Sequence, residues 1–183
     1  FVLKGEIEHY DTLLDRWITL KQGDVQVIRA GKGISHSEKL ISGSEIFQIW
    51  FDPGLQESLY VAPSYDDFKS NFFSRYSTSK FEVKTISNYK NQIGLKSKGI
   101  GIFEYTFIDG KHLHKIQKNS YHSIFILSGS VIIEDMEYLS GDFLIICNEK
   151  KIQIKTNNKC KFFEIISPVS LPYRTYAEIH KLN

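Results

Sequence analysis

With 183 residues, 42% of them hydrophobic, the chain has room for one or two domains and enough apolar side chain for a buried core. Its 23 basic and 21 acidic residues leave a formal charge of +2, and the lysines are scattered among acids, which argues against the basic stripe of a direct nucleic-acid binder. No apolar run approaches the ~20 residues of a membrane helix, so no membrane role is expected.

Thirteen Phe and ten Tyr against one Met, set in short alternating segments, predict an all-β chain. Phe1 to Tyr10 reads as a strand that ends in the turn Tyr10-Asp11-Thr12. Trp17 to Leu20 is a second strand, followed by the turn Lys21-Gln22-Gly23-Asp24 and an apolar-rich strand over Asp24 to Ile28. Ala30-Gly31-Lys32-Gly33 supplies a sharp reversal and delivers His36-Ser37-Glu38 onto a neighbouring strand. Side chains two residues apart on a strand share a face, roughly 6.5–7 Å apart along the backbone. His36 and Glu38 therefore have the spacing to reach one metal ion, and imidazole with carboxylate suits a first-row ion such as ferrous iron. A solvent-facing polar strand end is the plainer alternative. His9 either points inward beside that ion or sits on the outer face.

Lys39 to Ser44 is a predicted loop, and Glu45 to Phe51 a strand closed by Asp52-Pro53-Gly54. Residues 55 to 80 are the most polar stretch but are interleaved with aromatics, which predicts an ordered connector; Phe68, Phe72 and Phe73 fit the apolar side of a short helix. The expected organisation is a first barrel over residues 1–60, a connector over 61–85 and a second barrel over 86–183.

The second half repeats the first. Phe125-Ile126-Leu127-Ser128-Gly129-Ser130-Val131-Ile132-Ile133-Glu134 parallels Phe1 to Glu8, and Ser140-Gly141-Asp142 to Ile146 parallels Gln22-Gly23-Asp24 to Ile28. The parallel implies two copies of one small barrel unit. Further strands are predicted at Phe81 to Ile86, Ile100 to Phe107, Ile152 to Thr156 and Phe162 to Ile166, with a short helix around Tyr176 to Lys181. Cys147 and Cys160 fall on separate predicted strands in a chain too large to need stapling, which fits reduced thiols in a cytoplasmic protein. His112-Leu113-His114 offers a second pair of imidazoles and His122 follows eight residues later. Yet the segment after Gly141-Asp142 holds no histidine, only Cys147 or Glu149 as stand-ins. A second metal site at His112 and His114 is thus the lesser expectation, against a metal-free barrel with histidines on its surface or loops.

Gly5-Glu6-Ile7-Glu8-His9, Asp11, Gly23-Asp24-Val25-Gln26, Ala30-Gly31, Gly33-Ile34 and His36-Ser37-Glu38 together resemble the first domain of the pirin-like bicupins. Phe47-Gln48-Ile49-Trp50 and Pro63-Ser64-Tyr65 extend the resemblance toward the bacterial quercetinase-type branch. It covers about the first third of the chain. The resemblance implies two cupin-like barrels in tandem, of the double-stranded β-helix or jelly-roll type, the first incomplete at its N-terminus. It also implies a His-x-His pair upstream of Phe1 that would join His36 and Glu38 around Fe(II) or another divalent first-row metal, and a second domain without its ligands. His9 matches a family histidine not counted among the ligands, and so is expected to be structural or to support the ion from behind. The implied activity is a dioxygenase cleaving a flavonol such as quercetin, or a related aromatic enol, with dioxygen. Glu38 would accept the substrate's hydroxyl proton, and Phe47 or Trp50 would pack on the flat ring. The alternative is a non-catalytic metal-binding regulator that docks onto a protein partner.

Overall fold

The computed structural model describes residues 1–88 and 93–180 and divides into two compact units. Unit 1 takes Phe1–Phe73, Ile93–Lys98 and the segment from Pro172 onward; unit 2 takes the residues from Ser74 and Gly99–Leu171. Strands dominate both, and among the described residues no helix is long and apolar enough to cross a membrane.

In unit 1 the predicted strand from Phe1 to Tyr10 is two strands, β1 (Val2–Lys4) and β2 (Glu6–Asp11). Gly5, at φ 71°, breaks them, because a left-handed backbone cannot continue a pleat. β2 is the centre of a three-stranded sheet between β3 (Arg16–Lys21) and, beyond β4 (Val25–Arg29) in the chain, β5 (His36–Leu40). β1 pairs with β6 (Glu45–Ile46), shorter than the expected Glu45 to Phe51 because its partner is only three residues long. Val2, Ile7 and Leu20 form a small buried cluster with Ile46 against it.

The expected connector is not a separate segment. After the helix α1 (Leu55–Ser58), β7 (Ser64–Phe68) pairs antiparallel with β4. Ser70–Phe72 is one 3-10 turn whose Ser70 N–H donates to Asp24 Oδ1 at 2.9 Å. Phe68, Phe72 and Phe73 pack as an aromatic cluster with centroids 5.0–6.3 Å apart, so the ring spacing that suggested a helix serves a strand and a turn. The tail helix α2 (Tyr176–His180) opens on a capping box: Glu178 accepts from the Thr175 N–H at 2.7 Å and the Glu178 N–H donates to Thr175 Oγ1 at 3.3 Å. Its expected last residue, Lys181, lies outside the described residues.

Unit 2 starts with β8 (Ser74–Ser77), within the stretch expected to be connector, and β9 (Phe81–Ser87), which matches the strand predicted at Phe81 to Ile86. It continues with β10 (Gly101–Phe107), β11 (Gly110–Lys115), β12 (Ser120–Ser128), β13 (Ser130–Ile133) and β14 (Met136–Leu139). β15 (Phe143–Ile146), β16 (Lys151–Thr156) and β17 (Cys160–Pro168) complete it. One sheet runs β15-β12-β17-β10-β9-β8, the other β11-β16-β13-β14. Phe107, Ile124, Ile126 and Phe162 from the first pack with Val131, Ile133, Ile152 and Ile154 from the second, giving the main core. Both cysteines are free, and burial pushes the Cys160 thiol up to about 11, which keeps it an inert core group.

The internal repeat is a repeat of hydrogen bonds. Val2 N–H donates to Asp24 O at 3.1 Å and Gly23 N–H to Val2 O at 2.8 Å; in unit 2, Ile126 N–H donates to Asp142 O at 3.0 Å and Gly141 N–H to Ile126 O at 2.9 Å. Asp24 Oδ2 accepts from Lys21 N–H as Asp142 Oδ2 does from Leu139 N–H. Gly5 and Gly129, at φ 71° and 77°, break the same strand. A Cβ on Gly129 would stand 2.5 Å from the Lys159 carbonyl oxygen, backbone that cannot move aside. Gly129→Ala is therefore expected to cost at least the roughly 1–3 kcal/mol of a strained left-handed residue, read as a lower denaturant midpoint; an unchanged midpoint would contradict this reading of the turn.

Candidate metal centre

The centre is built on β2 and β5. Their antiparallel register sets His9 opposite Glu38 and Asp11 opposite His36. Residues two apart share a face, and β2 turns Ile7, His9 and Asp11 inward. One face of the sheet thus brings His9, His36 and Glu38 together, with one ligand atom of each within 4.8 Å of the others. His9 is buried, Glu38 half-buried and His36 exposed, so the cluster runs from the interior to solvent.

Asp11 organises the buried end. Its Oδ1 accepts the Leu13 and Leu14 N–H groups at 2.8 and 2.7 Å, and its Oδ2 lies 3.0 Å from His9 Nε2. Burial by itself would raise the Asp11 carboxyl, but the hydrogen bonds from Leu14, His9 and Leu13 outweigh it and hold the group below the usual carboxylate range. An ionised Asp11 only accepts, so His9 Nε2 carries the proton and Nδ1 a lone pair. That Nδ1 is buried, has no hydrogen-bond partner among the described residues, and lies 3.9 Å from Glu38 Oε1.

Gln26 donates its side-chain N–H to Glu38 Oε1 and accepts from the Tyr65 hydroxyl at 3.4 Å. Tyr65 stacks on His9 with centroids 4.9 Å apart and planes at 13°. Burial first, then the charges of Asp67, Asp11 and Glu38, push the Tyr65 hydroxyl well up, so it stays a donor. The aromatic against the cluster is therefore Tyr65, whereas Trp50, expected to pack on a substrate, is 87% exposed and outside any strand.

Two imidazoles and one carboxylate are the donor set of a divalent first-row ion. Ligand atoms each about 2.1 Å from one ion lie at most about 4.2 Å apart, and the His9 to Glu38 separation of 3.9 Å falls inside that limit. The donor set, two imidazoles and a carboxylate gathered on one sheet face, fits such an ion by its chemistry.

Unit 2 differs at the same places. His9 is four residues after Gly5 and pairs with Glu38; Ile133 is four after Gly129 and pairs with Ile154. The counterparts of His9, His36 and Glu38 are then Ile133, Ile152 and Ile154, exposed by 4%, 3% and 0%. The unit 2 histidines, expected on surface or loops, are buried. His112 faces the Ile108 carbonyl at 2.7 Å, apart from the others. His114 Nε2 and His122 Nδ1 each lie 2.7 Å from Glu164 Oε1. The partner of His114 is thus neither His112 nor Cys147 nor Glu149. Gln117 N–H donates to His122 Nε2 at 2.8 Å, which leaves the proton on Nδ1, directed at Glu164. Although these three could also surround an ion, His122 has both nitrogens committed, and the arrangement is a buried hydrogen-bonded triad. Its sequence signal was a lone carboxylate inside the apolar run Phe162-Phe163-Glu164-Ile165-Ile166.

The family described as Pirin matches residues 1–51. The Escherichia coli K12 protein named quercetin 2,3-dioxygenase is 25% identical over 163 residues, 86% of this chain and 66% of that protein. The chain therefore spans just under two thirds of that relative's length. A pirin-like protein of Caulobacter vibrioides is 42% identical over 67 residues, 36% of this chain and 27% of its own. Among solved structures, quercetin 2,3-dioxygenase from Acinetobacter baumannii superposes with a TM-score of 0.72 at 18% identity, covering 99% of this chain and 70% of that one. The bacterial pirin YhhW from Escherichia coli, in complex with nickel(II), gives 0.70 at 21% identity, covering 93% and 71%. At these identities the solved structures establish the fold alone.

Proposed function

We propose that the chain is a metal-dependent dioxygenase of the pirin-like family, cleaving a flavonol or related aromatic enol; the Pirin match over residues 1–51 supports the family. The observation that carries the reading is the open donor set of His36, Glu38 and the unpaired His9 nitrogen on one sheet face. Fe(II) is the proposed ion; nickel(II) in the Escherichia coli bacterial pirin supports a divalent first-row ion on this fold.

A bound ion would supply the Lewis acidity that lowers a substrate hydroxyl's pKa and the redox partner for dioxygen. The chain's residues supply the rest. His36, exposed, anchors the ion at the solvent edge, where a flat substrate can reach it. Glu38 takes the hydroxyl proton: Gln26 holds its Oε1 in place, which leaves Oε2 as the acceptor. Tyr65 fixes the orientation of Gln26 by donating to its Oε1, so the Gln26 N–H is turned toward Glu38. Flavonol-dependent oxygen uptake after anaerobic loading with ferrous iron tests the proposal, with His36→Ala as control. Uptake in the parent that vanishes in the variant is expected; iron binding without uptake would overturn it.

A non-catalytic regulator docking on a protein partner is the second reading, favoured by Trp50, Leu59, Tyr60 and Val61, each at least half exposed. It predicts iron binding without turnover, and loss of partner capture in Trp50→Ser with the ion retained.

A further inference from the structure

We infer that two copies of this chain associate by antiparallel pairing of β15 with β15 across a twofold axis, joining their six-stranded sheets edge to edge. The inference concerns unit 2 alone and stands whatever ion or substrate unit 1 takes.

The edge itself carries the first step. β15 ends the six-stranded sheet, and among the described residues no strand pairs with its outer side. An open edge is a template for another strand, and folded chains guard it with charge or proline. The other strands that end the sheets of unit 2 are guarded in this way: β8 by Arg75, β11 by Lys111 and Lys115, β14 by Glu137. β15 reads Phe-Leu-Ile-Ile, with neither charge nor proline.

The exposed side chains carry the second. Leu144 and Ile146 pack against the core, whereas Phe143 and Ile145, on the opposite face, are 56% and 57% exposed. Residues directly opposite in an antiparallel pair share a face. With the axis through Leu144, Phe143 of each copy lies opposite Ile145 of the other. An aromatic ring against a β-branched side chain is a favourable cross-strand pair, and the twofold axis makes it twice.

Charge selects a second copy as the occupant. Exposed Glu137 and Asp142 precede the strand; exposed Lys150 and Lys151 follow it, with Lys115 opposite Lys151 in the register of β11 and β16. Glu149 offsets one of these lysines and leaves that end basic. Antiparallel pairing of identical strands therefore sets the acidic end of each copy against the basic end of the other. Four residues a side is far short of the about 20–30 of a standard interface, so the association depends on concentration.

Sedimentation velocity tests this on the full chain from about 1 μM to about 1 mM, under reducing conditions so that the free Cys147 cannot link copies. A dimer that dissociates on dilution is expected, with a constant that weakens as salt screens the charged ends. Ile145→Lys puts a guarding charge on the edge and acts twice across the axis, so it should weaken the constant about tenfold or more. Phe143→Ser should weaken it without adding charge, and carries the test if Ile145→Lys does not fold. Both sites are exposed, so each variant should keep the parent's urea midpoint. A parent chain still monomeric at about 1 mM would overturn the inference and leave the edge to a foreign strand. A dimer whose constant stays within about twofold of the parent's in both folded variants would overturn it by placing the contact on another face.

Discussion

Glu164→Ala unfolds at a markedly lower denaturant concentration than the parent chain, with a loss of roughly 2–6 kcal/mol at neutral pH. The carboxylate is 1% exposed and accepts from two buried imidazoles at 2.7 Å. Its removal orphans two donors at about 1–3 kcal/mol each. Burial alone would raise the Glu164 carboxyl, but the hydrogen bonds from His114 and His122 outweigh it and hold the group below its ordinary 4.5. A carboxylate with a lowered folded pKa contributes stability that is complete above the unfolded value and lost as pH falls through the folded one. The gap between parent and variant is therefore widest above about pH 4.5 and narrows in more acidic solution. Urea denaturation of both proteins at several pH values checks this; equal midpoints at neutral pH would contradict the triad.

Under the proposed function, Glu38→Gln is expected to reduce flavonol-dependent oxygen uptake by about 10²–10⁴-fold, the usual contribution of a positioned proton acceptor. The amide has the carboxylate's shape and can still accept from Gln26, so the variant should unfold at the parent's denaturant midpoint. It cannot take a proton. Oxygen uptake at saturating ferrous iron, with iron content measured on the same preparation, separates lost chemistry from lost metal. Unchanged uptake at full occupancy would remove Glu38 from the role assigned to it.

The His36 and Glu38 pair was legible because the spacing of two residues fixes a shared face whatever else the strand does. The inward placement of His9 was not, since β2 carries polar side chains on both faces, Glu6, Glu8 and Tyr10 on one and His9 and Asp11 on the other. Asp11 read as a turn residue, and it is one: it accepts the Leu13 and Leu14 N–H groups with one oxygen while the other meets His9. A single strand carries no mark of that second duty. The repeat was visible in its glycines, because Gly5, Gly129, Gly23 and Gly141 all adopt positive φ where side chains are disfavoured. The residues called a connector misled for a related reason. Their serines and aspartates read as an ordered connector, yet β7 and β8 alternate them with rings that pack in the two units. Glu164 escaped notice because its partners are 42 and 50 residues away in sequence.

The central claim, that the ion belongs to unit 1 at β2 and β5, is tested most directly by metal stoichiometry in three proteins loaded with ferrous iron under anaerobic conditions. The account predicts about one ion per chain in the parent, none in His36→Ala and one in folded His114→Ala. Iron retained by His36→Ala and lost from His114→Ala would contradict it and place the ion in the buried triad of unit 2.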